Sequence, residues 1–212
     1  MMNKKYLTEF LGTAALLSVI TGSGLMGQVL SSGNDAVTLL GNSIATGAGL
    51  YVLIMILGPI SGAHLNPLVS VMACIHKQSK RKDLLPYIVS QITGAIAGVW
   101  MTHLMFNLPI LQTSTKIRTG LGIWVSEVIA TLILLIVIYL GLKYAKKNIA
   151  MIVALTVTAG YWFTSSTFFC NPAVTFARSL TDTFVGIAPQ NILGFVIPQI
   201  IALILILKIF KK

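Results

Sequence analysis

Ser61-Gly62-Ala63-His64-Leu65-Asn66-Pro67-Leu68 places an Asn-Pro step inside sequence too apolar for an ordinary loop. Asn is a favoured N-cap, and Pro is favoured at the first helical position, where its missing N–H leaves no hydrogen bond unmade. The stretch therefore predicts a helix that begins at Pro67 within hydrophobic surroundings. A second step, Asn171-Pro172-Ala173, stands 105 positions further on, so each half of the 212-residue chain carries one.

The composition fits that reading. The chain is 56% hydrophobic and 9% charged, whereas a soluble domain carries roughly 25% charged residues. Most of the surface must therefore face lipid. Two cysteines, Cys74 and Cys170, are too few for a disulfide framework or a cysteine-rich metal site. The first apolar stretch is long enough to span and is followed by further spans, which predicts a retained helix and not a cleaved signal.

Six spans are predicted at 6–29, 36–57, 84–106, 120–141, 148–166 and 188–208, each near the ~20 residues a bilayer requires. With both termini inside, Lys4, Lys5, Lys77, Lys80, Arg81, Lys82, Lys143, Lys146, Lys147, Lys208, Lys211 and Lys212 fall on the cytoplasmic side. Lys116, Arg118 and Arg178 fall outside. Twelve basic residues against three is a positive-inside bias. The net charge of +10 is thus a topology signal, and nucleic acid is not an expected partner.

The halves repeat one plan. Thr8-Glu9-Phe10-Leu11 opens the first span of one half, and Ser126-Glu127-Val128-Ile129 sits early in the first span of the other. Each half then has a second span, an Asn-Pro step and a third span containing a glutamine, Gln91 or Gln199. Glu9 to Asn66 is 57 positions and Glu127 to Asn171 is 44, a surplus that fits the longer connection around Ser31-Ser32-Gly33-Asn34-Asp35. Three spans per half is an odd number, so the second half must enter from the opposite side, giving an inverted repeat with its site near the midplane. Segments 58–76 and 167–180 are apolar but too short and broken to cross, and are predicted to be re-entrant.

Ser61-Gly62-Ala63-His64-Leu65-Asn66-Pro67 and Asn171-Pro172-Ala173-Val174-Thr175 closely resemble the two signature loops of the aquaporin (major intrinsic protein) family. The resemblance extends over nearly the whole chain, through the six spans, the acidic residues of spans one and four, and Gln91 with Gly94-Ala95-Ile96-Ala97-Gly98 in span three. It implies an all-α membrane protein of six transmembrane helices plus two re-entrant half-helices. One domain would cover 1–212, with repeats over 1–107 and 116–212.

In such a fold the half-helices meet head to head at the bilayer centre. Asn66 and Asn171 would cap their helices and offer N–H₂ donors to a pore, while the positive helix ends repel cations, a mechanism already known for aquaporin-type channels. Leu68 departs from the family's usual alanine, placing extra bulk where the helix tips would touch and putting the pore width in doubt. Packing alone would equally explain it.

A larger departure follows the second motif. Water-selective members place an arginine directly after Asn-Pro-Ala, and this chain has Val174 there. Gapless spacing from the motifs puts the other filter positions at Thr46, Ala159 and Phe168, with Gly160 and Thr167 as live neighbours. Glycerol facilitators of the family usually keep the arginine and add an aspartate, and Val174-Thr175 has neither. The resemblance thus implies a less polar, wider filter suited to small uncharged solutes. Some microbial members with Val at this position are associated with arsenic handling.

Arg178 lies one turn, about 6 Å, beyond Val174 on the same half-helix, and helical side chains lean toward the N-terminus. One reading brings its guanidinium near filter height. The other has it close the half-helix and pair with Asp182 at i+4. Glu9 and Glu127 are intramembrane carboxylates and so functional candidates. Proton coupling is one reading. The favoured one is structural, with both accepting hydrogen bonds from re-entrant backbone. His64 is expected to face the cytoplasmic half of the pore as a polar wall or a pH-sensitive gate. Cys170 is either a site for thiol reagents from outside or a small packing residue. His76 and His103 show no partner in the sequence, and no trio of metal ligands emerges.

No phosphate loop or paired nucleophile and base marks an enzyme, and no cofactor is expected. The expectation is a passive channel for glycerol-like polyols, metalloid acids such as arsenous acid, and water. A water-selective aquaporin is the alternative, and an ion-coupled transporter using Glu9 or Glu127 is the rival class. A pore closed by Leu68 would leave a purely structural protein. Gly94 and Gly98 form a small-residue face suited to close helix contact. The resemblance implies a homotetramer in a microbial plasma membrane, with the lipid bilayer, small neutral solutes and water as its partners.

Overall fold

The computed structural model describes residues 3–210, so Lys211 and Lys212 of the basic set lie outside the described residues. Among these residues the regular structure is helical: α1 (Lys4–Leu30), α2 (Asp35–Ser61), α3 (Pro67–Ile75), α4 (Arg81–Met105), α5 (Leu121–Tyr144), α6 (Ile149–Phe163), α7 (Pro172–Arg178) and α8 (Ile192–Ile209). Short 3₁₀ turns, Lys146–Asn148 and Pro189–Asn191, lead into α6 and α8.

Asparagines start four of these helices. Asn3, Asn34, Asn66 and Asn171 each turn the side-chain oxygen onto a free backbone N–H of the first turn, satisfying donors the helix itself cannot use. In α3 and α7 a proline follows directly. Helices α1, α2, α4, α5 and the Pro189–Ile209 stretch are long and apolar enough to cross a membrane. The remaining expected span, 148–166, is shorter in helix, the 15 residues of α6. Its chain continues through a turn at 165–166 into an irregular, mostly buried segment that leads to Asn171.

Large apolar side chains such as Leu11, Ile44, Leu85, Leu121, Leu155 and Ile197 face outward, while Glu9, Gln91, Glu127 and Gln199 are fully buried. That inversion of a soluble core is the pattern demanded by a lipid solvent, where polar groups must find partners inside.

Each half is long, long, short, long. Helix α1 packs against α2 and α4, and α5 packs against α6 and α8. The short helices also reach across: α3 touches its own α4 and the other half's α8, and α7 touches its own α8 and the other half's α4. A Cβ on Gly94 would collide with the Phe10 carbonyl, and one on Gly98 with the Ala14 carbonyl. The small-residue face of α4, expected to serve close helix contact, is therefore used within the subunit against α1.

Candidate functional site

Each half-helix is preceded by backbone that no ordinary loop would adopt. Ala63 and Leu65 have φ of 46° and 49°, and Phe168 and Cys170 have φ of 55° and 50°. These are the third and first positions before each Asn, so the two segments share one left-handed pattern. Such conformations cost non-glycine residues of order 1–3 kcal/mol each and persist only when surroundings hold them.

The surroundings here are two buried carboxylates. Glu9 Oε1 accepts from Ser61 Oγ (2.6 Å) and the His64 N–H (3.0 Å), and Oε2 accepts from the Leu65 N–H (2.8 Å) and Gln91 Nε2 (2.9 Å). In the other half, Glu127 Oε1 accepts from the Cys170 N–H and from Gln199 Nε2 at 2.8 Å. Gln91 also donates to Ser70 Oγ (2.9 Å) and Gln199 to Thr175 Oγ1 (3.0 Å). The halves are not equal, because Glu127 Oε2 has no hydrogen-bond partner among the described residues.

At the centre the halves hold each other. Asn66 Oδ1 caps Leu68 N at 2.9 Å, while its Nδ2 donates 2.8 Å to the Cys170 carbonyl. Asn171 Oδ1 caps Ala173 N at 3.0 Å, and its Nδ2 donates 2.8 Å to the Leu65 carbonyl. An amide nitrogen has two hydrogens, so each Asn keeps one beyond its cross-repeat bond.

Both asparagines line a cavity of about 830 Å³. Its wall includes Gln78, Lys146 and Lys147 as well as Phe168, Phe169 and Arg178. Thr46, His64, Phe168, Cys170 and Val174 all lie on this wall. Pro67, Pro172 and Ala173 are not wall residues, consistent with shaping the half-helices from behind.

Three expectations need correction. Leu68 lies off the cavity, packed with Val69, Met72, Leu135, Leu203 and Ile206 between α5 and α8. Its bulk fills the core and does not narrow the midplane. Ala159 is exposed on the outer face of α6. The face of α6 on the cavity presents Val153, Val157 and Tyr161. Tyr161 OH reaches Thr46 Oγ1 at 3.3 Å, and a Cβ on Gly160 would collide with the Phe168 ring. Gly160 is thus the floor beneath Phe168 and Tyr161 is the wall residue, while Thr167 is off the wall.

The third correction is the partner of Arg178. Asp182 is engaged by Thr115, whose N–H donates at 2.8 Å and whose hydroxyl donates at 3.0 Å. Arg178 is instead buried, with its guanidinium carbon 3.5 Å from the centroid of the Phe169 ring and Nε donating to the Val185 carbonyl. The loop carrying Val185 is clamped by two more cations. Arg118 donates from Nε to Gly186 O (2.8 Å) and from Nη2 to Phe184 O (3.0 Å), and Lys116 Nζ donates to Phe184 O (3.1 Å). Burial, and then the neighbouring Arg118 guanidinium, hold the Lys116 ammonium below the usual lysine range.

Sequence reasoning missed Tyr161, Phe169 and this clamp. Phe169 had a signal, since it stands at the same offset from Asn171 as His64 does from Asn66. His64 Nδ1 lies 3.0 Å from Ser70 Oγ and its ring packs on Tyr87. His103 and His76 do have neighbours. His103 bridges the Ile110 carbonyl and Thr181 Oγ1, each at 2.8 Å, and His76 lies against the Tyr139 ring. Cys74 and Cys170 are both free thiols.

The sequence profile described as major intrinsic protein matches residues 1–164. The aquaglyceroporin AqpS of Rhizobium meliloti (strain 1021) is 43% identical over 210 residues, spanning 99% of this chain and 90% of the relative. Aquaporin AqpM of Methanothermobacter marburgensis is 29% identical over 211 residues, spanning 85% of this chain and 84% of the relative. Among solved structures, the X-ray structure of the aquaglyceroporin from Plasmodium falciparum superposes with a TM-score of 0.71. It is 21% identical and the match covers 95% of this chain and 92% of that one, a likeness of fold.

Proposed function

Because the chain belongs to the major intrinsic protein family, we propose that it is a passive membrane channel for small uncharged solutes such as glycerol. It is an integral membrane protein, and no reaction is assigned to it. The observation that carries the reading is the single cavity lined by both asparagines and by Thr46, Tyr161, Phe168 and Val174. That set mixes two hydroxyls with apolar surface, which suits a solute carrying hydroxyls on one side and carbon on the other. Water and undissociated metalloid acids such as arsenous acid, compact and neutral with several hydroxyls, fit the same description.

The two repeats, 1–107 and 116–212, act as one domain. The basic bias supports the described N- and C-terminal helix ends, with Lys4, Lys5 and Lys208, on the cytoplasmic side, and the family resemblance supports a microbial plasma membrane. Glu9 and Glu127 are structural carboxylates, supported by the backbone N–H groups they accept. His64 and Cys170 are wall residues. The subunit is one of a homotetramer with a pore in each copy, a reading supported by family resemblance and by the apolar outer faces of its helices.

Stopped-flow swelling of proteoliposomes with water, glycerol and arsenous acid in parallel tests the function. Glycerol uptake well above empty vesicles, non-saturating and independent of any ion gradient, is expected. Water flux without solute flux would instead favour a water-selective pore, and gradient-driven accumulation would favour a coupled transporter.

A further inference from the structure

We propose that Arg178 is the specificity-determining cation of this channel's outer constriction, one helical turn beyond the position occupied by Val174. The proposal rests on the channel reading above and assigns a role to a residue which that reading leaves unused.

Val174 and Arg178 are four residues apart on α7, and side chains at that spacing share one face. Both line the cavity. Arg178 is 3% exposed, and a guanidinium cannot shed its charge in a protein. Burying it is costly unless its donors are used. One face of the group lies on the Phe169 ring, and Nε is taken by the Val185 carbonyl. The Nη nitrogens have no hydrogen-bond partner among the described residues, yet they are not among the sealed, unsatisfied atoms of the interior. They are open to the cavity and hold donors for something that passes through it.

The scaffold that aims these donors is built into the outer loops. Lys116 and Arg118 tie down the carbonyls of Phe184 and Gly186, on either side of the Val185 carbonyl that receives Arg178. With its Nε tied and its plane stacked, the guanidinium has one orientation. Its open edge presents fixed donors to acceptor oxygens of a hydroxylated or oxyacid solute. Its charge, reinforced by Lys116 and Arg118 nearby, repels any cation at the same point. Phe169 is the positioning residue for this group.

The test compares wild type, Arg178→Gln, Arg178→Lys and Phe169→Leu in proteoliposomes, reading the ratio of methylammonium to glycerol flux. Replacing the charge with a neutral amide is expected to raise that ratio about tenfold or more, since a like charge a few ångströms away is strongly repulsive in a site shielded from bulk water. Arg178→Lys is expected to keep the ratio near wild type, and Phe169→Leu to raise it partway by loosening the guanidinium. An unchanged ratio in Arg178→Gln overturns the proposal. If Arg178→Gln does not reconstitute, an unchanged ratio in Phe169→Leu overturns it instead. Failure of the channel reading looks different: wild type would then pass no neutral solute at all.

Discussion

Asn66 and Asn171 each donate a side-chain hydrogen bond to the backbone of the opposite repeat, Asn66 to the Cys170 carbonyl and Asn171 to the Leu65 carbonyl, both at 2.8 Å. The acceptors are the residues directly before the partner asparagine. Each repeat therefore fixes the carbonyl orientation of the other at the very point where both half-helices begin. The same two side chains that cap the helices also lock the halves together.

Asn66→Ala and Asn171→Ala should be close to equivalent. Each removes one cap and one cross-repeat hydrogen bond, worth about 1 kcal/mol apiece. A loss of about 2 kcal/mol is expected for either, read as thermal unfolding in detergent. Clearly unequal losses would contradict the reciprocal arrangement.

Glu9→Gln and Glu127→Gln should differ. Glu9 uses both oxygens as acceptors, so an amide nitrogen at either position opposes existing donors and leaves them buried without an acceptor, at about 1–3 kcal/mol. Glu127 Oε2 has no partner among the described residues, so the amide nitrogen can occupy that place while the carbonyl oxygen keeps the Cys170 and Gln199 bonds. The expected order of thermal stability is wild type, then Glu127→Gln slightly lower, then Glu9→Gln clearly lowest. The reverse order would rule out this reading of the two carboxylates.

Leu68→Ala restores the family's usual residue, yet it should not widen the pore. The side chain packs between α5 and α8, so its truncation is expected to destabilise the fold by about 2–5 kcal/mol, as for other buried leucines. The ratio of glycerol to water flux should stay as in wild type. A changed ratio would put Leu68 back at the constriction.

Gly160→Ala and Ala159→Leu should separate the two neighbours cleanly. A methyl at position 160 collides with the Phe168 ring and pushes it toward the cavity, so solute flux should fall. A larger side chain at exposed position 159 should leave flux unchanged. Swelling assays on both variants decide which residue of α6 abuts the filter.

Val174→Arg tests the width of the constriction directly. A guanidinium at position 174 would stand one turn before Arg178 on the same cavity-lining face of α7 and take up volume there. Glycerol flux is expected to drop while water flux persists. Equal glycerol flux in wild type and variant would show that the narrowest point lies elsewhere.

Hydropathy, the two Asn-Pro steps and the distribution of lysines were enough to specify a membrane protein made of two opposed repeats with paired half-helices. Those signals are local or compositional. An N-cap and a proline set a helix start by backbone chemistry alone, and a bilayer selects span length and charge placement regardless of detailed packing. Glu9 and Glu127, like Gln91 and Gln199, were visible as repeated positions, but that each Gln donates to its Glu emerged only from the fold.

Only the tertiary structure decided which side chains face the cavity. One residue turns a helix by about 100°, so a placement good to within one position leaves the facing residue open. That is why Ala159 proved exposed while Tyr161 lines the wall, and why Leu68 packs into the core. Arg178 shows the other limit. Its neighbours in sequence offered Asp182, but its orientation is set by Phe169 and by a carbonyl of a loop that Lys116 and Arg118 hold from a distant part of the chain. A buried charge goes where the folded chain supplies partners, and sequence spacing does not carry that information.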